Sequence, residues 1–267
     1  MGVEAINIIN RPQKYMMQPE VVIKKEPQKG LKAKAAISSA IGTGVALTMI
    51  CKRQGFPISP KTLAKTPLKE WAIFKIAEKN KPNQKLLEIE EREIIELASG
   101  SVLGGLIGGA LFDGDNMKAK LRESLTQILG NVITPVALVG GASRLYKKYE
   151  KPIKEAMPQI QKEGKFIEKL NKFIKVSPAV GITMAALGTG IYAGSKVTNF
   201  INEKFFGQKE NRDIKASDFA PHVDDLCLAI TLMGAKDSPV ASTITRAVPL
   251  FLAVPGYQVA KAQEKQS

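Results

Sequence analysis

Four stretches of this chain contain no Asp, Glu, Lys or Arg: residues 35–51, 97–112, 124–143 and 176–195. A helix needs about 20 apolar residues to cross a bilayer, within a range of about 17–25. The third and fourth stretches meet that requirement and the first sits at its lower limit. The second reaches it when Glu96 or Asp113 lies among the headgroups. Two shorter charge-free runs, 226–235 and 247–260, are too short to read as separate spans. No other feature limits the fold so strongly. Inside a bilayer every backbone amide must be bonded within the protein, and only helices and closed barrels achieve that.

The second stretch, LASGSVLGGLIGGALFDG (97–114), is crowded with glycine. Gly100, Gly104 and Gly108 recur every four residues, and Gly105 with Gly109 repeats the interval one position on. On a helix they are expected to line one face. In water each such glycine costs about 1 kcal/mol against alanine. In a membrane a face without side chains lets a second backbone approach closely, which is how helices associate in an apolar solvent. Ala186, Gly190 and Gly194 make the same stripe in the fourth stretch. The pattern is similar to that of mitochondrial inner-membrane translocase subunits over a few turns, and no residue role is carried over from them.

The expected fold is all-α: a multi-span transmembrane helical bundle with glycine-zipper packing plus amphipathic surface helices. Residues 1–30 read as a loosely attached basic tail with Pro12, Pro19 and Pro27, and 31–267 as a single helical membrane domain. The competing reading is a soluble helical protein with glycine-rich buried helices. A mean hydropathy of −0.06 leans that way, but it averages apolar runs with long polar connections.

The connections carry signals of their own. Thr66 before Pro67 reads as an N-cap and first helical position. Residues 68–79 then put Leu68, Trp71, Ala72 and Ile76 on one face of an amphipathic helix. From Asn83 a further helix is expected to run unbroken into the glycines, and 144–175 to be helical in two pieces divided near Pro158.

The net charge is +14, unevenly placed. Lys plus Arg outnumber Asp plus Glu by 7 to 3 in residues 1–34, 10 to 7 in 52–96 and 10 to 4 in 144–175. The counts are 3 and 3 in 113–123, and 5 and 6 in 196–225. Cytoplasmic flanks carry the excess of Lys and Arg. The reading is therefore a membrane protein, of a bacterial inner membrane or its equivalent, with 52–96 and 144–175 cytoplasmic. Residues 1–34 also look internal, which conflicts with a first run that spans. Either that run is re-entrant or the rule fails at one end. The basic flanks suit anionic lipid. They lack the interleaved aromatics of single-strand binders, so nucleic acid is not expected. Self-association or other membrane subunits are the expected partners.

Chemistry is thinly represented. The single histidine, His222, lies in SDFAPHVDDLCLAI, where Ser217 or Asp218 is expected to cap a helix carrying Asp224 and Asp225 in its first turns. His222, Asp224 and Asp225, with Arg246 between the last two apolar runs, are the candidate proton or ion site. The plainer reading is a helix start with solvated acids. Cys51 and Cys227 are far apart and form no CxxC pair. No GxSxG, HExxH, P-loop or dinucleotide fingerprint occurs. An enzyme, a cofactor and a metal site are not expected. AIGTGVA (40–46) resembles ALGTGIYA (186–193), and 132–141 loosely resembles 246–256. The leading expectation is thus a structural, scaffold or membrane-complex subunit. The alternatives are a small permease or channel built on an inverted three-helix repeat, and a soluble or peripheral protein binding an acidic partner.

Overall fold

A computed structural model describes residues 30–75, 84–208, 213–223 and 246–263. Among these the chain is helical with no strand. Its helices are α1 (Leu31–Arg53), α2 (Pro60–Lys65), α3 (Glu91–Phe112), α4 (Met117–Leu125), α5 (Thr134–Ala156), α6 (Lys165–Phe206) and α7 (Val254–Lys261). A π-helical segment, Thr126–Ile133, joins α4 to α5 without a break. Four helical stretches are long and apolar enough to cross a membrane: α1, α3, the continuous rod from Gly114 to Ala156, and α6. They contain the four charge-free runs. The tail 1–29 and the run 226–235 lie outside the described residues.

α1 and α3 pack antiparallel along their length. Ala46 meets Gly100, Gly42 meets Gly104, and Ser38 meets Gly108. The α4–π–α5 rod returns antiparallel to α3, with Gly140 reaching Glu91, and α6 runs back against the rod, with Gly190 on Pro135 and Gly194 on Gly130. α7 lies against both α1 and α3, parallel to α3. One end of the bundle therefore carries Lys34, Asp113, Lys120 and Lys261, and the other carries Arg53, Glu91 and Arg144. α1 is one continuous helix, and residues 31 and 53 stand at opposite ends of the bundle. Segments 52–96 and 144–175 meet at the Arg53 end, where Arg144 comes within 3.8 Å of Glu91.

Two of the expected surface helices differ. The described part of the expected amphipathic helix 68–79, residues 68–75, is not an α-helix: Leu68–Glu70 is one 3-10 turn, and 76–79 lie outside the described residues. Thr66 does not cap it, because its hydroxyl bonds back to Thr62 O at 2.8 Å and its carbonyl accepts from Trp71 Nε1 at 2.9 Å. The helix signal belongs seven residues earlier, where Ser59 caps Pro60–Lys65. Likewise α3 starts at Glu91 rather than Asn83, on a reciprocal cap between Glu90 and Glu93. Residues 84–90 are held out of the helix by Gln54, which bonds both the N–H and the carbonyl of Glu88, at 3.0 and 2.8 Å. The break at 157–164 divides the basic segment as expected, and Asn171 ties it by bonding both backbone groups of Ile160.

The larger core joins Ile50 and Cys51 of α1, Leu97 and Ala98 of α3, Val132, Val136 of α5, and Val248 and Leu252. A smaller one joins Val139 to Leu187 and Ile191.

Candidate functional site

The small residues bring backbones together. A Cβ on Gly104 would stand 2.8 Å from Gly42 Cα, and one on Gly42 would stand 2.8 Å from Gly104 Cα. The two glycine sets of α3 do not share a face, however. Gly100, Gly104 and Gly108 meet α1, whereas Gly105 meets Gly256 of α7, and Gly109 meets Lys120 and Ala260. Successive helical residues are about 100° apart, so neighbouring stripes address two different partners. On α6, Gly190 and Gly194 face Pro135 and Gly130, and Ala186 packs beside the smaller core. The two repeat-like motifs thus face unlike neighbours: Gly42 meets α3, and Gly190 meets the start of α5.

Where backbones approach, hydroxyls follow. Ser39 and Ser101 are fully buried with Oγ atoms 3.1 Å apart, and both donate to Ala253 O. Ser101 Oγ also accepts Gly256 N–H at 2.9 Å. The first N–H groups of α7 have no partner within that helix, and its N-cap, Ala253, has no side chain able to supply one. A serine from α3 supplies it. The other end of α7 is closed by Lys120, whose Nζ donates to Ala260 O at 2.8 Å, Ala262 O at 2.9 Å and Asp113 at 2.8 Å. A cation suits the negative end of a helix, and this one is fully buried.

His222 belongs to a second polar cluster. It lies in the 3-10 turn Ala216–His222, not in the first turn of an α-helix, and is buried. Its Nε2 is 2.7 Å from Asn131 O. A carbonyl only accepts, so Nε2 carries the proton. The cause sits four residues on. In a regular helix Asn131 O would receive the N–H of residue 135, and Pro135 has none. The π-helical segment is where the rod absorbs that loss, and His222 donates to the same carbonyl. Asn131 Nδ2 reaches Gln127 and the buried Asp218, at 3.0 and 2.8 Å, and Asp218 accepts from Lys215 N at 2.9 Å. Gln127 continues the chain to Glu123. His222→Ala is expected to cost about 1–3 kcal/mol. Adding Pro135→Ala should recover part of it, because an alanine N–H reaches Asn131 O from within the rod. Thermal melts of the two variants would disprove this account by showing no recovery.

Asp224, Asp225 and Cys227, expected near His222 in sequence, lie outside the described residues. Arg246 lies in a helical stretch described over 246–251, and its Nε is buried with no hydrogen-bond partner among the described residues. Among those residues no group of three or more His, Cys, Asp or Glu is placed to hold a metal ion. Sequence reasoning missed Lys120, Ser39, Ser101, Asn131 and the π-helical segment. Pro135 inside a charge-free run was the available signal for the last two.

At the Arg53 end, Arg53 donates to Glu93 and to both oxygens of Glu96, and Arg92 donates to Glu96 at 2.8 Å. At the Lys34 end, Lys34 Nζ stands 4.9 Å over the Phe112 ring. Just past the apolar run of the last helix, burial lowers the Lys261 ammonium below its ordinary pKa, and the charges of Lys215 and Lys32 lower it further. Compared with known protein families, curated proteins and solved structures, the chain matches none.

Proposed function

We propose that this chain is an integral membrane protein whose four long helices cross a bilayer, and that it works as a structural scaffold or a subunit of a membrane complex. One observation carries the membrane reading. Ser39, Ser101, Thr126, Gln127, Asn131 and Thr198 are buried, while Ile37, Ile41, Val45, Met49, Leu103, Ile107 and Leu111 are each more than half exposed. A soluble bundle has the reverse distribution, since a contiguous apolar surface of this extent is not left in water. Small and hydroxyl-bearing side chains between helices, and large apolar ones outside, are what association in lipid favours. The scaffold role rests on the same interiors. The described helices meet through close backbone contacts and short polar links, with no catalytic constellation among them.

The excess of Lys and Arg in 52–96 and 144–175 favours a cytoplasmic Arg53 end. Carbonate extraction of membranes from expressing cells tests the first claim, and labelling of D115C and Q208C in a chain lacking native cysteines tests the second. Retention in the pellet with both positions labelled from outside is the expected result. Release into the supernatant overturns the membrane reading, and the buried serines then belong to a soluble core binding an acidic partner.

A further inference from the structure

Because α1 and α3 touch through Gly42, Gly100, Gly104 and Ser38, their larger side chains stand apart as two ridges. Between the ridges runs an apolar groove of about 860 Å³. Its walls are Ile37, Ile41 and Val45 on one side and Leu103, Ile107 and Leu111 on the other. From Lys34 to Arg53 it runs about 28 Å at the rise of an α-helix, close to the roughly 30 Å of a bilayer's hydrocarbon.

The two mouths differ in charge. At the Arg53 mouth the guanidiniums of Arg53 and Arg92 are taken by Glu93 and Glu96. At the Lys34 mouth no carboxylate pairs with Lys34 among the described residues. Lys34 lies in the first turn of α1, which has no acidic residue and no side-chain cap. A cation at this helix end runs against its dipole, and an anion there would answer both Lys34 and the first N–H groups of the helix.

Resting on the membrane reading above, we propose that this groove is a binding site for an anionic phospholipid, with the phosphate at Lys34 and the start of α1 and an acyl chain laid along the α1–α3 ridges. A partner helix is about 10–12 Å across with its side chains. Over the same length it displaces more than about 2,000 Å³, so only its ridge enters this groove. A chain of methylenes fits within it, and the one-sided charge selects a headgroup at a single mouth.

The test is native mass spectrometry of the detergent-purified full chain with phosphatidylglycerol or phosphatidylcholine, alongside carbonate extraction of the same membranes. Phosphatidylglycerol is expected to remain bound where phosphatidylcholine does not. K34Q is expected to weaken it roughly 5-fold, from one surface lysine. V45W, which fills the groove from an exposed position, should displace it, and K65Q, outside the groove, should leave it unchanged. Melting temperatures of K34Q and V45W like the parent's would exclude a folding defect. Equal retention of both lipids, or no effect of K34Q and V45W, overturns the proposal while a carbonate-resistant pellet leaves the membrane reading standing. Displacement by millimolar inorganic phosphate alone would reduce the site to a phosphate site without the groove. Release by carbonate removes the membrane reading, and the proposal with it.

Discussion

Gly42→Val and Gly104→Val are each expected to cost about 3 kcal/mol or more, the upper range for forcing atoms into a packed interior. The new Cβ meets backbone in both cases, Gly104 Cα from one side and Gly42 Cα from the other. Backbone cannot turn aside as a side-chain tip can, so the helices must part. Parting them also strains the Ser39 and Ser101 links to Ala253. The controls are Gly44→Ala and Gly188→Ala, where an added Cβ has open space. There the change should be within about 1 kcal/mol and toward greater stability, because alanine is the better helix former. SDS-driven unfolding of the detergent-solubilised chain separates the two classes. Similar losses at Gly42 and Gly44 would show that glycine content, rather than the α1–α3 contact, sets the stability.

Lys120→Met is expected to have the next largest effect, about 3 kcal/mol, and a local one. The side chain is fully buried, and its loss leaves Asp113 with Asn116 alone and takes the donor from the carbonyls of Ala260 and Ala262. Removing one member of a buried charged pair costs about 3–5 kcal/mol, and the partial exposure of Asp113 reduces that here. Because α7 is held at its far end by this lysine, residues 254–261 should lose protection against hydrogen exchange while α5 and α6 keep theirs. Unchanged protection over 254–261 would refute the capping role.

The helices that could be read from the sequence are those where a charge is forbidden over a long stretch. Runs 35–51, 97–112, 124–143 and 176–195 fall inside α1, α3, the rod and α6 because exclusion of charge acts on each residue alone and leaves a mark in the string. What depends on a partner far along the chain leaves none. Residues 84–90 carry a helical pattern, but Gln54 takes the backbone of Glu88. Lys120 in MKAKLRESL looks like a solvated lysine until α7 arrives to cover it. The split of the glycines was within reach, since Gly104 and Gly105 are adjacent and adjacent helical residues point about 100° apart. His222 was visible as a singular residue, but its acceptor, the Asn131 carbonyl four residues before Pro135, lies 91 positions away and leaves no mark beside it.

The serine seam also sets a schedule. Ser101 is 155 positions ahead of the Gly256 amide it holds. At about 5–20 residues per second, synthesis delivers that partner about 8–30 s after the serine itself. Through that interval Ser39 and Ser101 have each other, 3.1 Å apart, on the side that α7 will cover. Any other nascent helix with a free amide at its start competes for the same place.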